Sequence, residues 1–208
     1  MANTPVNATP APRWEWRTFA QSLPALKKAV GNAAGTAAPR ASAEIYLLNL
    51  RGPHNAKIRN NVLDIKRLQQ VSADGLELWS PAFKGSFPAS RAQLGDAFAA
   101  WGLAAPAFAR DSYTLDQFLA EIVAPHHALR RVEVGKNRSG FEFGNCIAEF
   151  AEVVVNGIAC ESFCLEHENP ALILAALRQL HLQPRANINY PEGLKRALGI
   201  ASPALAAA

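Results

Sequence analysis

The ten residues KIRNNVLDIK, 57 to 66, constrain this chain more than any other stretch. Asparagine tolerates positive φ, so Asn60-Asn61 is suited to a two-residue type I′ turn joining two short strands. Such a turn sets Arg59 opposite Val62, Lys57 opposite Asp64 and Asn55 opposite Lys66. Side chains alternate across a strand. One face of the hairpin therefore carries Asn55, Lys57, Arg59, Asp64 and Lys66, and the other Ala56, Ile58, Leu63 and Ile65. In an ordinary half-buried sheet, the charged face would simply meet water. What matters is whether other strands repeat the pattern.

They do. RWEWRTF, 13 to 19, sets Arg13, Glu15 and Arg17 against Trp14 and Trp16. Lys136 and Arg138 share one face of the strand read over 129 to 138. Ser162, Cys164, Glu166 and Glu168 share a face opposite Phe163 and Leu165. In 147 to 155, Glu149 and Glu152 fall on opposite faces, so only one of them points with the rest. Further strands are read at 43–50, 76–81 and 140–145, and Asn156-Gly157 is a hairpin turn.

Helical spacing marks 22–30, 90–104, 114–124, 169–182 and 191–200. Ser90 is an N-cap, Thr114 with Gln117 forms a capping-box pattern, and Asn169 precedes Pro170 at a first helical turn. GNAAGTAAPRAS, 31 to 42, is a small-residue loop without a phosphate-loop pattern.

With 208 residues, half of them hydrophobic, the chain has enough apolar material for one large core. The expected organisation is a single domain over 13–200, with disordered tails at 1–12 and 201–208. A net charge of +4 suits an anionic ligand but is too small to argue for nucleic acid. The three cysteines form no CxxC pair, and no export signal or membrane-length apolar run is visible, so a cytoplasmic protein is expected. His126-His127, Arg130-Arg131 and the two tryptophans read as loop end, surface pair and core. Nothing near Cys164 in the sequence activates it as a nucleophile.

The economical assembly is of the α+β class: a closed antiparallel β-barrel, or tunnel, with a charged interior and several helices packed outside. Buried charges need counter-charges, water or a polyanion. A lumen rich in cations with a few carboxylates suits a small polyphosphate, with a hard divalent ion bridging carboxylate and phosphate oxygens.

The order of these residues resembles the CYTH superfamily, the triphosphate tunnel metalloenzymes. RWEWR aligns with the opening ExExK strand of that family, Lys57-Ile58-Arg59 with its basic pair, and Asp64-Ile65-Lys66 with the next strand. Lys136-Asn137-Arg138 aligns with K-x-R, Ala148-Glu149 with the acidic strand, Cys164-Leu165-Glu166 with ExE, and 189–199 with the closing segment. The resemblance implies a metal-dependent phosphohydrolase acting on inorganic triphosphate or a related organic phosphate. It implies catalytic roles for Glu15, Glu166 and Lys66. Arg17, Lys57, Arg59, Lys66, Lys84, Lys136 and Arg138 would bind substrate, and Glu15, Glu149 and Glu166 would hold Mg²⁺ or Mn²⁺. The small-molecule partner would be triphosphate, polyphosphate or a phosphorylated metabolite. Three departures stand out: Arg13 replaces the first Glu of ExExK, Arg17 its Lys, and Cys164 the first Glu of ExE. Arginine at 17 keeps a phosphate-binding cation, whereas Arg13 and Cys164 favour an alternative, a catalytically impaired module that binds polyphosphate or a phosphometabolite. An adenylate cyclase-like activity is a further option on the same scaffold.

Overall fold

The computed structural model describes residues 11–31, 39–182, 186–201 and 205. The tails expected at 1–12 and 201–208 fall mostly outside these residues, as does 32–38 of the small-residue loop. Eight strands close into one antiparallel barrel: β1 (Arg13–Ala20), β2 (Arg40–Asn49), β3 (Asn55–Arg59), β4 (Val62–Val71), β5 (Glu77–Ser86), β8 (Leu129–Phe143), β9 (Cys146–Val155) and β10 (Ile158–His167). Around the barrel the order is β1-β10-β9-β8-β2-β3-β4-β5, and β5 pairs back onto β1. A short ribbon, β6 (Ala89–Ser90) with β7 (Ser112–Tyr113), lies apart from it.

The hairpin register is the one the sequence specifies: Arg59 faces Val62, Lys57 faces Asp64 and Asn55 faces Lys66. Asn60 and Asn61 adopt φ of 50° and 61°, the left-handed values a type I′ turn demands. Asn156-Gly157 turns the chain in the same manner, with φ of 47° and 88°.

Three apolar clusters organise the packing. The outward faces of β3 and β4 (Ala56, Ile58, Leu63, Ile65) pack under α2 (Arg91–Trp101) and under α3 (Leu115–Gln117) with the π-helical turn Phe118–Val123 that continues it. Thr114 and Gln117 form the expected capping box, and Ser90, expected as an N-cap, caps reciprocally with Gln93. The outward faces of β1, β9 and β10, including Trp16, Ala148, Phe163 and Leu165, pack against α1 (Pro24–Val30) and α4 (Pro170–Gln179).

The third cluster corrects an expectation. The closing helix, α5 (Tyr190–Ala197), does not lie outside the barrel with the others. Tyr190 and Leu194 join Phe19, Tyr46, Leu48, Val132, Val134, Ala151, Val153 and Val155, which alternate with the outward residues and so face the lumen. One end of the lumen is thus filled by apolar side chains and plugged by α5, and the charged residues occupy the rest. Gly193 permits this seating, because a Cβ there would fall 2.3 Å from the Phe19 ring.

Two strand boundaries also differ from the sequence reading. The segments read at 129–138 and 140–145 join into one strand, β8, which runs through Gly140 to Phe143 because its pairing with β9 continues unbroken from Val134 to Phe143, with Gly144 and Asn145 forming the turn. β5 extends to Ser86, past Pro81, where register shifts against β4 absorb the proline.

Candidate functional site: the charged lumen

Period-two alternation around a closed barrel sends Glu15 and Arg17 (β1), Lys57 (β3), Asp64 and Lys66 (β4), Lys136 and Arg138 (β8), Glu149 (β9) and Glu166 (β10) to one cavity of about 160 Å³. Tyr46, Asn55, Trp79, Asn189, Tyr190 and Pro191 complete its wall. Residues far apart in sequence therefore converge in one place. Of the sequence-derived candidates, Arg59 and Lys84 stand apart. Arg59 is exposed and pairs with Glu44 at 3.3 Å, and Lys84 is exposed opposite Asp64; neither lines the cavity. The ambiguity between the two β9 carboxylates resolves in favour of Glu149, since Glu152 is exposed beside Asn137 and Lys27.

Two oppositely built clusters divide the site. On β1, β9 and β10, a single cation sits among carboxylates. Arg17, 4% exposed, donates from Nε to Glu15 at 2.8 Å and from Nη1 to the Ser162 hydroxyl at 3.1 Å. Its Nη2 lies 3.9 Å from Glu166, and its guanidinium carbon stands 4.7 Å above the Tyr190 ring. Register explains the grouping: Glu15 is level with Glu166, and Arg17 with Cys164, which is level in turn with Glu149.

Burial works against a charged Glu15, but Arg17 and Lys66 outweigh it and hold that carboxyl below its ordinary range. Glu166 goes the other way. Burial and the neighbouring Glu15 charge push its pKa up, beyond what Lys66 and Arg17 restore. The two carboxyls thus favour a state with Glu15 ionised and Glu166 readily protonated. The Cys164 thiol is fully buried, and burial together with the nearby carboxylates pushes its pKa well up despite Arg17. It is neither an activated nucleophile nor a hard metal ligand.

On β2, β3 and β8 the arrangement inverts: one carboxylate sits among cations. Glu44, 2% exposed, pairs with Lys136 at 2.9 Å, Arg59 at 3.3 Å and Lys57 at 3.7 Å. Lys136 also donates to the Tyr46 hydroxyl at 2.6 Å and lies 3.9 Å from the Tyr190 ring centroid. Glu44 is lowered to about 2, because Lys136 and Lys57 outweigh the burial that opposes its charge. Lys136 is lowered to about 7, by burial and by repulsion from Lys57 and Arg17, with Glu44 restoring only part. The two partners differ because Glu44 is shared by three cations, while Lys136 has one carboxylate and two repelling neighbours. The burial and central role of Glu44 depend on β2 pairing with β3 and β8, which no local pattern reveals.

The divalent ion implied by the resemblance can be tested against these residues. Arg17 pairs with Glu15 at 2.8 Å and lies 3.9 Å from Glu166, Glu149 is paired with Arg138 at 3.6 Å, and Cys164 offers a protonated thiol. Among the described residues, no group of three or more His, Cys, Asp or Glu side chains is placed to hold a metal ion. As arranged, Glu15, Glu149 and Glu166 do not fit an octahedral oxygen site.

The other sequence features take no part in the lumen. His126 stacks on His127 at 5.3 Å and accepts the Ala128 N–H, away from the cavity.

No protein-family model matches the sequence, and neither does any curated protein. Solved structures do. HpAC1 from Hippeastrum, described as an adenylyl cyclase candidate with a dominant triphosphatase activity, is 12% identical with a TM-score of 0.47, covering 92% of this chain and 98% of its own. A conserved hypothetical protein from Pyrococcus furiosus is 11% identical with a TM-score of 0.45, covering 86% of this chain and 95% of its own. An adenylate cyclase candidate from Bacillus halodurans is 11% identical with a TM-score of 0.43, with the same two coverages of 86% and 95%. The fold of this chain is the closed eight-stranded antiparallel barrel that the resemblance to the CYTH superfamily implies. Among the described residues, no helix is long and apolar enough to cross a membrane.

Proposed function

We propose that the lumen binds inorganic triphosphate or a related organic phosphate and that the chain is a triphosphatase-type hydrolase of its anhydride bond. The observation that carries this reading is the convergence of Lys57, Lys66, Lys136 and Arg138, from three strands, on one small cavity, beside Arg17 and the carboxylates that hold it. Charge-assisted bonds from such a ring suit phosphate oxygens better than any other common ligand. At about 160 Å³ the cavity is below the ~300–1,000 Å³ of sites for drug-sized ligands. A short phosphate chain fits it, and a nucleoside would remain outside, which favours hydrolysis over the cyclisation of ATP.

Hydrolysis requires attack of water on a terminal phosphorus, loss of one water proton to a base, and departure of the remaining phosphate chain. Glu166, its pKa raised by burial and by Glu15, is a stronger base than Glu15, whose pKa is lowered, and is the carboxylate suited to taking that proton. Lys66 lies within electrostatic reach of both carboxyls and would face the charge that develops on the leaving oxygen.

A second reading is a module that holds the phosphate chain without cleaving it. It is favoured by Cys164, which stands where the resemblance implies a carboxylate, and by Arg17, which pairs with Glu15 at 2.8 Å and lies 3.9 Å from Glu166. Phosphate release from triphosphate, measured without metal and with Mg²⁺ or Mn²⁺, separates the two. Turnover that is lost in Glu166→Ala supports the hydrolase. Calorimetric binding with no turnover under any of these conditions leaves the module.

A further inference from the structure

We propose that Arg17 is the built-in counter-cation of the acidic side of the lumen, and that the lumen takes its phosphate chain without a divalent metal. This rests on the phosphate-binding reading above, and it concerns what neutralises the site. Three observations carry it.

The guanidinium is almost completely buried and held from several directions: by the Glu15 carboxylate, the Ser162 hydroxyl, the more distant Glu166 carboxylate and the Tyr190 ring. Arginine cannot shed its proton in a protein, so this positive charge is permanent. A divalent ion brought among the same carboxylates would meet it at contact range. The neighbour that could strengthen a metal site, Cys164, is a buried thiol level with Arg17, and it presents soft sulfur in place of oxygen.

The last observation concerns unsatisfied groups. Buried polar atoms normally have partners. Three cavity-lining residues have a buried atom without a hydrogen-bond partner among the described residues: Arg138 Nε, Tyr190 Oη and Asn55 Oδ1. The first two can donate and the third accepts, so donors outnumber acceptors. Phosphate oxygens supply acceptors for both donors, whereas a bare cation supplies none.

The inference predicts two results on the full chain. Added Mn²⁺ keeps the electron paramagnetic resonance spectrum of the free ion in the presence of the wild-type protein. The Arg17→Gln/Cys164→Glu variant, checked for folding by circular dichroism, loses that signal in proportion to protein, because its carboxylates are released and one is added. In calorimetry, triphosphate binds wild-type protein at least as tightly in the presence of a chelator as with Mg²⁺. One-to-one capture of Mn²⁺ by the wild type would overturn the proposal, as would a loss of triphosphate affinity of about tenfold or more in chelator. Both wild-type measurements stand even if the variant does not fold. Absence of triphosphate binding in either condition would overturn the phosphate reading itself, and the Mn²⁺ spectrum would still report whether Arg17 excludes metal.

Discussion

The two halves of the lumen solve one electrostatic problem in opposite ways. Around Arg17, a cation that cannot lose its proton is surrounded by carboxyls that can take one up. Around Glu44, a carboxylate held ionised to about pH 2 is surrounded by lysines, and one of these, Lys136, is lowered to about 7. Each half has a fixed charge at its centre and at least one adjustable charge beside it. The adjustable members, Glu166 on one side and Lys136 on the other, both line the cavity. An arriving anion can therefore be met by proton uptake at Lys136, with the two fixed charges left in place.

The largest way to break this symmetry is to strip the fixed cation of its partners. The double variant Glu15→Gln/Glu166→Gln leaves a buried guanidinium that cannot neutralise itself, and a loss of about 3–5 kcal/mol is expected in urea unfolding. Glu44→Gln should cost less, about 1–3 kcal/mol, because Lys136 can respond by releasing its proton. That cost should also shrink as pH rises from 7 to 8.5. Equal costs at all pH values would show that the two halves are not built differently.

The plugged end offers a control of similar size. Gly193→Ala forces a methyl into the Phe19 ring, and a loss of about 1–3 kcal/mol is expected from overpacking. Because it acts on the apolar layer, that loss should not change between pH 7 and 8.5.

A smaller effect follows from Lys136 itself. Its folded value of about 7 lies below its ordinary 10.5, so between these values the unfolded chain binds more protons. Stability must then rise with pH, by up to about 1.4 kcal/mol per pH unit from this group. The cleanest window is pH 7 to 8.5, below the range where the raised thiol of Cys160, at about 11 against an ordinary 9, works in the opposite direction. Lys57, also lowered by burial, adds in the same sense. Chemical denaturation across this window should show the rise in the wild type and a shallower one in Lys136→Met. The smallest change should come from Lys84→Ala. An exposed residue outside the cavity should alter stability by less than about 0.5 kcal/mol and leave triphosphate affinity unchanged.

Much of this was legible in the sequence, and for a definite reason. A closed barrel converts local alternation into global position, so Glu15, Arg17, Lys57, Lys66 and Lys136 could be assigned to one side of their strands before their neighbours were known. The Asn60-Asn61 turn fixed the hairpin register through backbone conformation alone. What was not legible depends on partners distant in sequence. Arg17 read as one more phosphate clamp, because its enclosure by Glu15, Ser162 and Glu166 arises only when β1 pairs with β10. The passage of β8 through Gly140 was hidden because a glycine reads as a break, while pairing with β9 carries the strand across it. The position of α5 was hidden as well. Its amphipathic sequence says that one face is buried, but not that this face looks into the lumen.

The most direct test of the account is a calorimetric titration of triphosphate into the wild type and into the double variant Lys66→Ala/Arg138→Ala, which removes one cation from β4 and one from β8. The account predicts saturable one-to-one binding in the wild type and its loss in the variant, with the fold retained by circular dichroism. Equal affinity in the two proteins would contradict the claim that cations from separate strands converge on a single anion in the lumen.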